Sequence, residues 1–435
     1  MLSALYTLCT TLVRFVARVA PDREGKIWQS LRARRGIRQR YAAWGAAHRD
    51  PARSLLWVHA PSVGEGLQAR PVLELLRAAH PRLQLAYTYF SPSAERFARS
   101  LGVDFTDYLP FDTPGDARAV LDALRPRALV YSKLDVWPMF TREAARRGVR
   151  LGLISATLAE DSGRRSRAVA SLLRAAYARL DAVGAIDAED AARLVSLGVR
   201  ERVMQVTGDT RYDQVWARAQ HTDPGGALLA PLASLRPTLV AGSTWPADEA
   251  VLLEAWRTVR AAVPDARLII APHEPKPSHL RPIERWAVGE RLSLARLGDP
   301  RAAVADVVLV DRVGVLGELY ALATAAFVGG GFHDAGLHSV LEPAAFGAPV
   351  AFGPRCERSR DARLLRQAGG GVSTDTAGAL GAGLVLWFSN DPARRTAGDA
   401  ALGVVRDGLG AADRSARLVG ALLDAGDHPG VRASR

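Results

Sequence analysis

Short apolar runs alternate with helical patterns twice along this chain, and that rhythm leaves few folds open. Runs near Leu55 to His59, Leu83 to Tyr87, Ala128 to Tyr131, Leu151 to Ile154, Ala182 to Ala185 and Val203 to Val206 each precede a helix-like stretch. A second series follows near Thr238 to Ala241, Leu268 to Ala271, Val307 to Val310, Ala325 to Val328 and Val350 to Phe352. Alternation of this kind predicts parallel sheets covered on both faces by helices, because parallel neighbours need a crossover and helices supply it. Between the two series, His221 to Pro237 carries Pro224, Gly225, Gly226, Pro231 and Pro237, so residues 221–237 are expected to link two open α/β domains, 23–220 and 238–435. Ligands bind such sheets beyond the carboxyl ends of the strands, which puts the loops after Val58, Tyr131, Ala241, Ala271 and Val328 along an expected cleft. The last helical stretch, about Asp391 to Ala425, is a candidate to pack back on the first domain.

At 435 residues the chain is long enough for two cores, and its 48% hydrophobic content argues for a fully globular protein. A formal charge of +12 invites a nucleic-acid reading, but Lys26, Lys133 and Lys276 are the only lysines and the arginines are spread throughout. With no basic motif interleaved with aromatics, no zinc-finger spacing and no helix-turn-helix signature, a nucleic-acid partner is not expected. A basic surface suits anionic lipid instead. Cys9 and Cys356 lie far apart, so neither a disulfide framework nor a metal cluster is implied, and a reducing cytoplasm fits.

Residues 1–22 carry the localisation signal. Leu2, Leu5, Tyr6, Cys9, Val13, Val16 and Ala20 recur at helical spacing, while Ser3, Thr7, Thr10, Thr11, Arg14 and Arg18 gather on another face. A cleaved signal peptide would need positive charge before its apolar core, and that charge is missing. The first expectation is an interfacial helix, and the second a short spanning anchor whose Arg14 and Arg18 snorkel. Arg23, Arg32, Arg34, Arg35, Arg38 and Arg40 follow, a run that would keep the rest of a spanning chain on the cytoplasmic side.

Several segments carry groups suited to chemistry. Phe327 to Pro354 reads as strand, glycine loop, helix and strand. Gly329, Gly330 and Gly331 allow close backbone approach, and Ser339 is placed to cap a helix through Leu341 to Phe346 whose N–H groups would face a phosphate. Glu342 falls in that helix's first turn, where it complements the dipole and can accept from ribose hydroxyls. A structural glycine turn is the plainer alternative. Glu65, between Gly64 and Gly66 where a helix begins, is placed as a general base, or as an ordinary acidic residue at a helix start. Gly242, Ser243 and Thr244 form a second candidate anion nest, and His273 with Glu274 follows a strand end where base or phosphate contacts are feasible.

Taken together these segments resemble the 3-deoxy-D-manno-octulosonic acid (Kdo) transferases, GT-B glycosyltransferases that move Kdo from CMP-Kdo to lipid A precursors. The resemblance covers nearly the whole chain through WVHAPSVGE at Trp57 to Glu65, YLPFDTPGDAR at Tyr108 to Arg118, VWP at Val136 to Pro138, VTGDTRYD at Val206 to Asp213, GSTWPADE at Gly242 to Glu249, GELY at Gly317 to Tyr320 and the Phe327 stretch. It implies two Rossmann-like domains, inversion at the anomeric carbon with Glu65 as base, and donor contacts from Ser243, Thr244, Gly330, Gly331, His338 and Glu342. It also implies a phosphorylated glycolipid acceptor placed near Ser62 and Arg70, at the cytoplasmic face of the inner membrane. No metal or cofactor is expected, since helix N-termini suffice for a leaving nucleoside monophosphate.

Departures accompany the match. An E-x-E-L-W-P segment has become KLDVWP, with Lys133 in place of a site glutamate, where its compact charge suits a phosphate or carboxylate. An asparagine after the histidine has become Ser339, an arginine is lost before His273, and an N-A-R-like segment reads SATLAEDS at Ser155 to Ser162. These changes allow two alternatives: a transferase with another nucleotide sugar or acceptor, or a noncatalytic paralogue that binds glycolipid.

Overall fold

The computed structural model describes residues 2–334 and 336–424, except the side chains of Leu2 and Ser3. It divides into two compact units, one comprising 1–214 with 409–435 and the other Val215–Gly408. Each is built on a seven-stranded sheet, and every strand pairing is parallel.

The first sheet contains β1 (Leu55–His59), β2 (Gln84–Tyr89), β3 (Phe105–Tyr108), β4 (Ala128–Ser132), β5 (Arg150–Ala156), β6 (Ala182–Ala185) and β7 (Met204–Val206), in the order β3-β2-β1-β4-β5-β6-β7. Its central strands are buried on both faces, and so they read as continuous apolar runs. The second sheet contains β8 (Thr238–Thr244), β9 (Arg267–Pro272), β10 (Leu294–Arg296), β11 (Val307–Leu309), β12 (Ala325–Val328), β13 (Val350–Phe352) and β14 (Gly371–Ser373), in the order β10-β11-β9-β8-β12-β13-β14. In both sheets the strand order reverses beside the first strand, β1 or β8, and the loops beyond that point carry the candidate residues.

The expected linker is not a free tether. Helix Arg211–His221 runs across the unit boundary, and 222–237 belongs to the second unit, where Leu229 and Leu232 are buried against Val240 and Ile269. Its prolines and glycines shape a packed connection, because two leucines find core there. The expected final helix is two, Asp391–Asp407 and Ala411–Asp424, broken at Gly408 to Gly410, with Ala425 outside the described residues. Only the second belongs to the first unit, where Asp213 of the VTGDTRYD motif accepts from the Gly410 and Ala412 amides at 2.8 and 2.9 Å.

The N-terminal helix α1 (Leu2–Arg18) docks on the first unit through polar groups. Tyr6 donates to Asp112 at 2.7 Å, Thr7 to the Met139 sulfur at 3.7 Å, and Arg14 to Asp116 at 2.8 Å. Its apolar face is left outward: Leu5, Leu8, Leu12, Val13, Phe15, Val16 and then Val19 are exposed, Leu8 to 67% and Val19 to 70%. Tyr6 and Ala20 of the expected stripe turn inward, while Leu2 and Ser3 have side chains outside the described residues. At 17 residues the helix is about 26 Å long, short of a hydrocarbon core of ~30 Å. Among the described residues no helix is long and apolar enough to cross a membrane, so the spanning alternative has no support.

Candidate active site

In the first unit, helix α2 (Lys26–Ala33) and helix α3 (Ile37–His48) precede β1, and helix α4 (Val63–Ala79) follows it. Glu65 falls in the first turn of α4, where unpaired N–H groups favour a carboxylate. Ser62 takes the N-cap position, but its hydroxyl donates to Glu65 Oε2 and makes no backbone cap. Because β4 lies beside β1, the residue after β4 reaches the same place. Lys133, held at φ +67°, donates from Nζ to Glu65 Oε1 at 3.2 Å. Burial pushes the Glu65 carboxyl up, yet the Ser62 hydroxyl and the Lys133 ammonium outweigh it and hold the group below the usual glutamate range. Glu65 is therefore an ionised carboxylate at neutral pH, available to accept a proton.

Gly66 allows this turn to sit close to the sheet. A Cβ there would lie 2.3 Å from Phe97 Cε1 and 2.6 Å from the Tyr87 hydroxyl, distances no real side chain tolerates. Two residues that sequence reasoning missed complete the cluster. Asp135 accepts from Arg164 Nη2 at 2.9 Å, and burial raises its carboxyl, with Arg164 opposing and the Glu65 charge adding to the rise. Asp135 lies in KLDVWP beside Lys133, so the motif pointed at it, whereas Arg164 comes from a segment with no periodic signal. Arg70 stays outside the cluster, paired with Glu74 at 3.2 Å and 5.9 Å above the Phe97 ring.

In the second unit the glycine loop is arranged differently from expectation. Asp248, fully buried, accepts from the Gly330 amide at 2.7 Å, the Phe332 amide at 3.0 Å and the Trp245 amide at 2.9 Å. The Gly329 amide is bound to the Gly242 carbonyl at 2.9 Å. An internal carboxylate thus fills the nest that the sequence reading assigned to a phosphate. The glycines are required by packing: a Cβ would meet the Ser243 carbonyl oxygen at 2.3 Å from Gly329, the Gly336 carbonyl at 2.2 Å from Gly330, and the Gly353 amide at 2.5 Å from Gly331. Ser339 is exposed and caps nothing among the described residues. The helix it was expected to begin is the single turn Leu341–Ala344, with Val340 at its N-cap.

Glu342, on that turn, lies 3.6 Å from Arg218, which packs over Gly317 of the GELY motif. Burial raises its carboxyl, and Arg218 counters this. Thr244 donates to Glu249 at 2.9 Å, and Gly242 leaves room for the Tyr320 hydroxyl, which would lie 2.1 Å from a Cβ. Ser243 holds φ +54° at the strand end. Glu274 is exposed and paired with Lys276 at 2.8 Å.

The polar rings of this unit converge. Trp245 stacks on His333 at 4.5 Å and on His273 at 4.8 Å, and His273 stacks on His338 at 4.4 Å. The indole N–H of Trp245 donates to His338 Nε2 at 3.2 Å. An indole can only donate, so Nε2 must be the bare nitrogen and the His338 proton sits on Nδ1. Burial, with His273 and His333 nearby, lowers His338 to about 4, which keeps it neutral. His273 and His338 were legible as candidates; Trp245 and His333 were not, although Trp245 directly follows the Gly242 to Thr244 turn.

The family model for 3-deoxy-D-manno-octulosonic-acid transferase (kdotransferase) matches residues 30–214. The 3-deoxy-D-manno-octulosonic acid transferase of Bordetella pertussis is 31% identical over 390 residues, covering 85% of this chain and 89% of that protein. The Haemophilus influenzae protein of the same name is 25% identical over 409 residues, covering 91% and 93%. Among solved structures, the UDP-GlcNAc 2-epimerase from Neisseria meningitidis bound to UDP-GlcNAc matches with a TM-score of 0.63 over 85% of this chain and 99% of that one, at 13% identity, a likeness of fold alone. With a relative this similar along nearly all of its length, and with two parallel-sheet α/β domains of the GT-B kind, the chain belongs to the Kdo transferase family of glycosyltransferases.

Proposed function

We propose that this glycosyltransferase moves Kdo, or a related acidic sugar, from a CMP-sugar to a lipid A-type glycolipid, with inversion and with Glu65 as the base. The observation that carries the reading is the Glu65 carboxylate, ionised at the start of α4 and held by Ser62 and Lys133. Glu65 takes the proton of the acceptor hydroxyl as that oxygen attacks the anomeric carbon, and the bond to phosphate breaks with its electron pair leaving on CMP. A carboxylate whose pKa is depressed is a poor base, and the Ser62 hydroxyl together with the Lys133 ammonium is the reason. When an anionic substrate group draws the Lys133 ammonium away, Glu65 loses its counter-ion and becomes more basic. This assigns Lys133, with Ser62 beside it, to the acceptor side and gives Arg70, on the next turn, an outer contact. The donor side draws on Ser243, Thr244, His273, His338 with its Nδ1–H, and Glu342 for ribose. Contacts from Gly242, Gly329, Gly330, Gly331, Ser339 and Glu274 would be peripheral, since the loop amides at Gly329 and Gly330 are already bound and Ser339 and Glu274 face solvent. The outward apolar face of α1 supports work at a membrane surface, where a lipid acceptor resides.

The Lys133–Glu65 pair also favours one other reading, a noncatalytic glycolipid binder in which the base stays neutralised. Purified protein incubated with CMP-Kdo and a tetraacylated lipid A precursor should release CMP and yield a heavier lipid. Calorimetric titration should rank CMP above UDP, GDP and ADP. Glycolipid binding without CMP release would establish the second reading, and a preference for UDP would reject the CMP-sugar donor.

A further inference from the structure

Where α1 ends against α2 and α3, the first unit encloses a cavity of about 260 Å³ that has no part in the chemistry above. Arg14, Arg18, Arg34, Arg35 and Arg38 line it, against the single carboxylate of Asp116. Arg34 and Arg35 are committed to the fold: Arg34 donates to the Leu109 carbonyl at 2.7 Å and the Ser30 carbonyl at 2.8 Å, and Arg35 donates to the Ala17 carbonyl at 3.1 Å and to that of Ala20. The other three keep capacity. Arg14 and Arg38 both engage Asp116 through Nε, leaving their Nη groups without partners among the described residues, and Arg18 has no partner there at all. Five guanidiniums around one carboxylate leave a concentrated positive charge in the recess, and a tetrahedral oxyanion is the complement that such planar forks bind best.

The position of the cavity narrows the source of that anion. Arg18 lies three residues after Phe15 and one before Val19, at the border of the outward apolar face formed by Leu5, Leu8, Leu12, Phe15 and Val19. Ile27, near the start of α2, is a further exposed apolar residue, at 75%. A helix whose apolar side enters the headgroup and acyl boundary carries its flanking arginines to phosphate level.

We infer that the recess lined by Arg14, Arg18 and Arg38 is a binding site for the phosphate of an anionic phospholipid, seated while the apolar face of α1 lies in the bilayer. It rests on the membrane-surface part of the function proposed above and adds a specific headgroup contact. The test is sedimentation of the full chain with phosphatidylglycerol vesicles and with phosphatidylcholine vesicles, using the wild type, Arg18→Glu, Arg38→Gln and the double control Arg281→Gln/Arg285→Gln. The two control arginines are exposed on another helix, Pro277–Gly289. The wild type should bind phosphatidylglycerol strongly and phosphatidylcholine weakly. Arg18→Glu, a surface change with no folded partner to lose, should weaken phosphatidylglycerol binding by roughly twenty-five-fold, about fivefold for each unit of charge changed near the surface, and Arg38→Gln by about fivefold. The double control should bind as the wild type. A further variant, Arg23→Gln/Lys26→Gln, separates a pocket from diffuse charge: diffuse charge predicts a loss of about twenty-five-fold for the two charges removed, equal to that of Arg18→Glu, which would overturn the pocket, whereas any clearly smaller loss supports it. Inorganic phosphate at constant ionic strength should compete with phosphatidylglycerol vesicles, since both present a tetrahedral oxyanion to the same forks, and vesicle binding that added phosphate leaves unchanged overturns the pocket. Equal binding to both vesicle types overturns the headgroup contact and leaves the membrane reading intact, whereas binding to neither overturns both.

Discussion

Replacing Asp248 with alanine probes the arrangement that most separates this structure from a simple phosphate cradle. Asp248 is fully buried and its two oxygens accept three backbone amides, those of Trp245, Gly330 and Phe332, at 2.9, 2.7 and 3.0 Å. Alanine leaves all three donors unpaired. The buried Gly330 amide bears the full desolvation cost of ~1–3 kcal/mol, while the Trp245 and Phe332 amides, partly accessible, lose about 1 kcal/mol each because water can replace the carboxylate. The sum is roughly 3–5 kcal/mol, equivalent to a fall of about 10 °C in the melting temperature of a unit this size. Urea and thermal unfolding measure that loss, and hydrogen exchange on a peptide spanning Phe327 to Phe332 locates it. Gly330 exchange should accelerate along with the destabilisation. A variant within ~1 kcal/mol of wild type, with Gly330 still protected and CMP affinity raised, would show that the nest is an open phosphate site that Asp248 merely plugs. The reasoning would then be wrong.

Lys133→Met should move the acid limb of the kcat/KM profile to higher pH. The folded pKa of Glu65 is depressed, so its pairing adds stability above the unfolded pKa that is lost as pH falls through the folded value, and removing Lys133 lets that folded value climb. The same variant should raise the acceptor KM by roughly tenfold through the lost charged contact, and an unchanged pH profile would refute the coupling. Trp245→Phe keeps the stack but removes the donor to His338 Nε2, so nitrogen NMR should show His338 leaving its pure Nδ1–H tautomer; an unaltered spectrum would reject the assignment. In the wild type His338 should stay neutral down to about pH 4, and because that value lies below the unfolded one, stability should decline as pH drops from about 6.5 toward 4.

The central strands were legible because a parallel strand buried on both faces must be apolar throughout, as LLWVH and AAFV are. The missed strands, β3, β10 and β14, are all sheet edges. FTDY, LAR and GVS need no continuous apolar run, since only one side of each is paired. Glu65 was legible from its place between two glycines at a helix start, and Lys133 from a motif it breaks. What closes around them was not: Arg164 meets Asp135 only because the loop after β5 folds toward the strand end of β4. The glycine loop was legible as a loop, with a phosphate cradle and a structural turn both open. Glycines report that something approaches closely, and here it is the chain's own Ser243, Gly336 and Gly353 backbone, with Asp248 as the anion. The N-terminal helix was legible as amphipathic, but its polar side found buried acceptors in Asp112 and Asp116, which fixed the face that turns outward.

Single-turnover release of CMP from CMP-Kdo, with a lipid A precursor present, tests the role of Glu65 most directly when wild type and Glu65→Gln are compared. The amide preserves the size of the side chain and its contact with Ser62 but cannot take a proton. Turnover should fall by roughly a hundred- to ten-thousand-fold while CMP affinity and the unfolding curve stay near those of the wild type. Release at the wild-type rate by Glu65→Gln would contradict the assignment of Glu65 as the base.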